Sequence, residues 1–145
     1  MGEKYFAGGF LFHRQSGSVL LQWRGSRTSV RPNTWCFLGG WSEAEDGGRA
    51  EATWRREMGE ELGIDLDSAH IVPLCDYTPA SNPYHRYIFY CEWPSLAEDF
   101  SFPEDEEDLA AVRWFTVQKA LALPHLLSDG TRHDLALFQE RLRTA

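Results

Sequence analysis

One segment limits the possible folds more than any other, residues 49–62. Ala50, Trp54, Met58 and Leu62 recur every four residues and make an apolar stripe along one side of a predicted helix over Arg49–Leu62. Gly63 follows, at the place where a left-handed residue closes a helix at low cost. A helix with such a stripe must cover another apolar surface, and a sheet is the expected partner. On the adjoining face stand Glu57, Glu60 and Glu61, at i, i+3 and i+4. At about 100° per residue the three carboxylates share a side roughly 90° round from the stripe. The stripe can therefore pack on a sheet while the carboxylates border a cleft.

Three like charges in little more than one turn repel one another, and Glu57 with Glu61 costs an isolated helix about 0.2–0.5 kcal/mol. A bound dication turns that repulsion into attraction, and oxygen-only ligands select Mg²⁺ or Mn²⁺ over zinc. Taken alone, three glutamates are an ordinary solvated helix face. Other features point further. Arg56 lies four before Glu60 and can brace it. Gly59 sits mid-helix, where it costs about 1 kcal/mol relative to Ala, and close approach of another backbone is one reason for it. Gly39-Gly40, upstream, would let backbone carbonyls face a ligand with no side chain in the way.

The rest of the chain reads mainly as strands. Tyr5–His13 is aromatic and apolar, with Gly8 and Gly9 marking an expected bulge. The Gln15-Ser16-Gly17 turn leads to Ser18–Trp23, so the two runs form a hairpin. Residues 25–34 are a polar loop, and Trp35–Leu38 is a short strand. Further strands are expected at His70–Tyr77, Arg86–Trp93 and Ala111–Thr116, with a loop over Pro79–Pro83 and an acidic loop over Ala97–Asp108. A short helix over Val117–Leu123 stops at Pro124. A last amphipathic helix begins near Asp129-Gly130, with Leu135, Leu137 and Phe138 apolar. Strands and helices do not alternate regularly, which predicts a mixed sheet between helices, not a doubly wound parallel fold.

A length of 145 residues suits one domain. The net charge of −8 argues against a groove for long nucleic acid, yet a small phosphorylated substrate can bind carboxylates through a bridging metal. Cys36, Cys75 and Cys91 are odd in number and unpaired in spacing, so each is expected to act as a small buried apolar residue in a reducing cytoplasm. No apolar run suggests a signal peptide or membrane span. Both a monomer and a homodimer stay open. His13, His70, His85, His125 and His133 form no spaced ligand pair.

The run Arg56-Glu57-Met58-Gly59-Glu60-Glu61-Leu62-Gly63-Ile64 resembles the second half of the Nudix signature, G-x5-E-x7-R-E-U-x-E-E-x-G-U with U a bulky aliphatic, at every fixed position. Trp35–Gly40 is similar to the family's approach to that signature, with Leu38 where proline is usual. Leu20–Arg24 and Val112–Phe115 resemble its flanking strands. There is one departure. Eight residues before Arg56, where the signature has Glu, stands Gly48; counted from Gly40, the loop carries two extra residues. Glu45 and Asp46 are the candidates to substitute.

The resemblance implies an α/β Nudix fold, a mixed β-sheet sandwiched between α-helices. It implies Mg²⁺-dependent hydrolysis of a diphosphate linkage in a nucleoside diphosphate derivative: a nucleoside triphosphate, nucleotide sugar, ADP-ribose or similar compound. The alternative is a catalytically weak or inactive nucleotide-binding sensor domain. The implied metal ligands are Glu57, Glu60, Glu61 and the carbonyl of Gly40, with Mn²⁺ a possible substitute for Mg²⁺. Arg56 orients a glutamate. Glu60 is one candidate base, and Glu106, in the acidic run 104–108, is another. Substrate contacts are expected from Arg24, Trp41 and Tyr77, with Tyr84 and Tyr87 as further aromatic candidates.

Overall fold

The computed structural model describes residues 3–24, 34–96, 109–123 and 127–144. Residues 25–33 of the loop expected at 25–34, the acidic segment 97–108 with Glu106, and Pro124 and His125 lie outside the described residues, while Thr34 belongs to a strand.

The strands are β1 (Phe6–His13), β2 (Ser18–Arg24), β3 (Thr34–Cys36), β4 (Leu38–Trp41), β5 (Ile71–Tyr77), β6 (Arg86–Glu92) and β7 (Leu109–Thr116). They form one mixed sheet in the order β3-β2-β1-β6-β5, with β4 paired to β1 and β7 to β2. β1 and β6 are parallel, and the other pairs are antiparallel. The helices are α1 (Ala50–Leu62), α2 (Val117–Leu121) and α3 (Asp129–Thr144), and a 3₁₀ turn covers Ala44–Asp46.

The period-two alternation of the strands sorts the core into two layers. Ala7 and Leu11 of β1 join Leu20, Phe89 and Cys91 beneath Trp54, Met58 and Leu62 of α1. Phe10 and Phe12 point the other way and meet Val19, Leu21 and Ile88 together with Leu135 and Phe138 of α3. The sheet is thus sandwiched between helices, as the stripe on 49–62 requires. Trp54 and Met58 are wholly buried and Leu62 nearly so, each stabilising the packing by about 1.5–3 kcal/mol. Gly63 closes α1 in the left-handed region, at φ 70°, and its N–H donates to Gly59 O.

Four local expectations need correction. Gly8 and Gly9 make no bulge, because β1 stays in unbroken register with β4 and β6 across both. Their reason is close approach: a Cβ on Gly9 would stand 1.9 Å from Phe89 O. Gly59 admits no second backbone, since a Cβ there would meet only Ile64 O, at an ordinary 3.5 Å. Cys75 is half-buried and its Sγ lies 3.7 Å from Asp134 Oδ1, while Cys36 and Cys91 are buried as expected. On α3, Leu137 is half-buried, and the fully buried residue of that turn, beside Leu135, is the charged Asp134.

Candidate active site

The loop between β4 and α1 shows how the chain accommodates its two extra residues. Ala44–Asp46 form the 3₁₀ turn, and Gly47 and Gly48 follow at φ 63° and 75°. Two successive left-handed residues reverse the chain, and a side chain at 48 would be strained there. Gly48 stands where the signature has Glu, and the loop carboxylate that grips Arg56 with two hydrogen bonds is that of Asp46, with Glu43 Oε2 in a further ion pair at 3.2 Å. Asp46 Oδ1 accepts from Arg56 Nε at 2.9 Å and Oδ2 from Nη2 at 3.0 Å. Asp46 also accepts from Thr53 Oγ1 and the Glu43 N–H, and it is buried. These bonds, that from Arg56 foremost, lower its carboxyl to about 2. Glu45 is exposed, at 3.8 Å from the guanidinium.

Arg56 has no capacity left for a ligand. Nη1 donates to Glu57 Oε1 at 3.1 Å and to both oxygens of Glu60 at 3.2 Å, and Nη2 donates to the carbonyl of Trp41 at 3.1 Å. One guanidinium thus ties the end of β4, the loop and the acidic face of α1 together. Its own pKa is driven upward, chiefly by Asp46.

Behind this hub, Glu57 and Glu61 stand one turn apart on the same side of α1. Burial raises the Glu57 pKa, against the pull of Arg56, and Glu60 adds to the rise. One oxygen of Glu61, Oε2, is closed off from solvent. Gly40 presses on Glu57: a Cβ there would stand 2.4 Å from its carboxyl carbon. Carboxyl groups on one side of a helix beside bare backbone are an oxygen-only donor set, and a hard divalent cation fits it. Among the described residues no three His, Cys, Asp or Glu side chains are gathered as a ready cage. Of the three expected ligands, Glu57 and Glu60 both meet Arg56, Glu57 packed against Gly40 and Glu60 with its side chain 54% exposed.

Gly40 also lines a cleft of about 730 Å³ on the far side of β4, and Arg24, Trp41, Tyr77 and Tyr84 line the same cleft. Tyr87 does not; it packs with the α1-side core against Tyr5. Trp41, 42% exposed, stands edge-on to Tyr84 at 5.2 Å and to Phe6 at 5.9 Å, and Lys4 Nζ lies 4.3 Å from its ring centre. Burial pushes the Cys36 thiol in the cleft wall up to about 11 despite Arg24 nearby, so it is protonated at neutral pH. Tyr77 donates its hydroxyl to Asp134 Oδ1 at 2.7 Å, which fixes the ring against His133.

Sequence reasoning missed Arg86 and Asp134. Arg86 Nε donates to Asp134 Oδ2 at 2.8 Å, and the guanidinium lies over Phe6 at 5.0 Å from the ring centre. The available signal was an aspartate on the buried face of an amphipathic helix, between Thr131 and Phe138, where burial demands partners.

A model of the NUDIX domain matches residues 6–136. None of the curated proteins matches the chain in sequence. Among solved structures, the E. coli dihydroneopterin triphosphate pyrophosphohydrolase is similar at 18% identity over 92% of this chain and 93% of that one, with a TM-score of 0.70. The NUDIX domain of Shewanella oneidensis NrtR, solved with ADP ribose, is similar at 20% identity over 96% and 86%, with a TM-score of 0.70. A MutT NUDIX hydrolase from Burkholderia pseudomallei is 24% identical over 93% and 98%, with a TM-score of 0.64. Identities this low speak for a shared fold. No helix among the described residues is long and apolar enough to cross a membrane.

Proposed function

Because the chain belongs to the NUDIX family, we propose that it hydrolyses a diphosphate linkage in a nucleoside diphosphate derivative, with Mg²⁺ or Mn²⁺ held by α1. The observation that carries this reading is Glu57, which shares one side of α1 with Glu61 and packs against the bare backbone of Gly40, which itself opens onto the cleft. Glu57, Glu61 and the carbonyl of Gly40 would hold the cation, with Glu60 as a further ligand. When bound, the cation neutralises charge on the diphosphate oxygens and lowers the pKa of a water.

The chain's own residues supply the rest. Arg56 holds Glu57 and Glu60 in place and does not touch substrate. Glu60 is exposed enough to take a proton from an attacking water at its carboxylate, and Glu106 is the alternative acceptor. Arg24 offers a cation to phosphate. Trp41 offers an aromatic surface to a base, and Tyr77 lines the same cleft. The substrate class remains that of nucleoside triphosphates, nucleotide sugars and ADP-ribose, in a single domain working in the cytoplasm as a monomer or homodimer.

A second reading, a nucleotide sensor with little or no turnover, draws on the likeness to the NrtR domain solved with ADP ribose. One assay separates the two. A nucleotide panel with Mg²⁺ is expected to yield phosphate or nucleotide products, and Glu61→Gln is expected to slow the best substrate by on the order of a thousandfold. Because that variant also relieves carboxylate repulsion, its thermal midpoint should not fall. Saturable binding with no product from any nucleotide supports the sensor, and equal rates for both proteins remove α1 from the chemistry.

A further inference from the structure

We infer that Arg86, positioned by Asp134, is a specificity-determining residue that reads a carbonyl-bearing nucleobase (guanine, cytosine or uracil) in preference to adenine. The inference narrows the substrate class proposed above and rests on the cleft taking a nucleotide.

Asp134 is fully buried and its carboxylate is held by several donors. It accepts from Tyr77 Oη at 2.7 Å, His133 Nδ1 at 2.8 Å and Arg86 Nε at 2.8 Å, with Cys75 Sγ at 3.7 Å. With no exposed surface of its own, Asp134 orients its neighbours and does not face the cleft. Arg86 differs. Asp134 engages Nε, while the Nη edge lies beside Gly130 on the cleft wall. A Cβ at Gly130 would come within 3.2 Å of Arg86 Cζ and 3.3 Å of Nη2. A side chain at residue 130 would crowd the guanidinium, which has room here because that residue is glycine.

The surroundings define what that edge can bind. The guanidinium covers Phe6, which meets Trp41 edge-on, and Trp41 meets Tyr84. An aromatic wall therefore runs from Arg86 to the residue directly after Gly40, and it suits a flat ring. The Arg86–Asp134 pair carries no net charge. A phosphate there would feel the carboxylate as well as the guanidinium, whereas a neutral carbonyl oxygen needs only the N–H dipoles. Guanine, cytosine and uracil each present a carbonyl oxygen; adenine has none.

Nucleoside monophosphates test this with Mg²⁺ present, because they keep the base and lack any diphosphate linkage to cleave. Calorimetry is expected to show GMP, CMP or UMP binding at least about tenfold tighter than AMP, the worth of a hydrogen bond from a charged donor. Arg86→Lys keeps the charge and loses the planar fork; Gly130→Ala crowds the guanidinium out of its present place against the helix and leaves Asp134 alone. Both should bring the ratio over AMP to within about threefold. If the lysine variant fails to fold, Gly130→Ala decides, since alanine is favoured over glycine within a helix. AMP binding as tightly as the other three overturns the inference. So does a preference that survives both variants, or no binding of any monophosphate at millimolar concentration. A carbonyl-base preference in a protein that hydrolyses nothing would sink the hydrolase reading and leave this one standing. Turnover that favours adenine nucleotides would do the reverse.

Discussion

Arg56 and Asp134 are charged hubs built in opposite senses. Arg56 on α1 is one cation among five carboxylates, Glu43, Glu45, Asp46, Glu57 and Glu60, all within 3.8 Å. Asp134 on α3 is one anion among donors, and Arg86 alone of them carries a permanent charge. The first hub keeps a surplus of negative charge beside Gly40; the second is balanced. They also differ in depth, for the Arg56 side chain is 14% exposed and that of Asp134 is sealed. A surplus at the surface end attracts a cation, while a balanced pair in the interior fixes geometry.

That contrast can be broken at either hub. Asp134→Ala should cost the larger stability, about 2–3 kcal/mol in urea unfolding, because it removes the shared partner of the half-buried Arg86 and Tyr77 side chains. A loss under 1 kcal/mol would mean that water replaces the carboxylate and the hub is not closed. Arg56→Ala should instead cost the larger activity, about a hundredfold in kcat/KM, as Glu57, Glu60 and the Trp41 carbonyl lose their common brace. If Asp134→Ala lowers turnover more than Arg56→Ala does, the division between cation hub and geometry hub is wrong.

Acid titration gives the smallest effect. Asp46 is held at about 2, below its ordinary value of 3.8. A depressed carboxyl contributes its full stability above the unfolded value and loses it as pH falls through the folded one. Up to about 2 kcal/mol should therefore disappear between pH 4 and pH 2. Asp46→Asn should flatten the unfolding free energy over that window. An unchanged slope would show that Asp46 is not what holds Arg56.

The first hub was legible in the sequence because one short segment writes it. Glu57, Glu60, Glu61 and Arg56 are helical neighbours, so a period of 3.6 places them without knowledge of the fold. The same holds for Trp54, Met58 and Leu62, whose burial requires the sheet. Asp134, Arg86 and Tyr77 lie on α3, β6 and β5, 48 and 57 residues apart in the chain, and only the strand order brings them together. Asp46 falls between the two cases. Its loop was identified as irregular, but the choice between Glu45 and Asp46 depended on two backbone angles that glycine permits and the sequence does not spell out. Glycines misled elsewhere for the same reason: at Gly8 and Gly9 a bulge and a tight crossing look alike in one dimension.

The left-handed Gly47–Gly48 pair has a consequence for how acids near a helix should be counted. An aspartate is one methylene shorter than a glutamate, and here the shorter arm hangs on a longer tether. The extra backbone makes up the missing reach, and the same guanidinium is met from a different place in the chain. Length of side chain and length of loop are thus interchangeable currencies of distance, so a vacancy in a fixed-spacing motif is a reason to search the adjacent turn before declaring a partner lost.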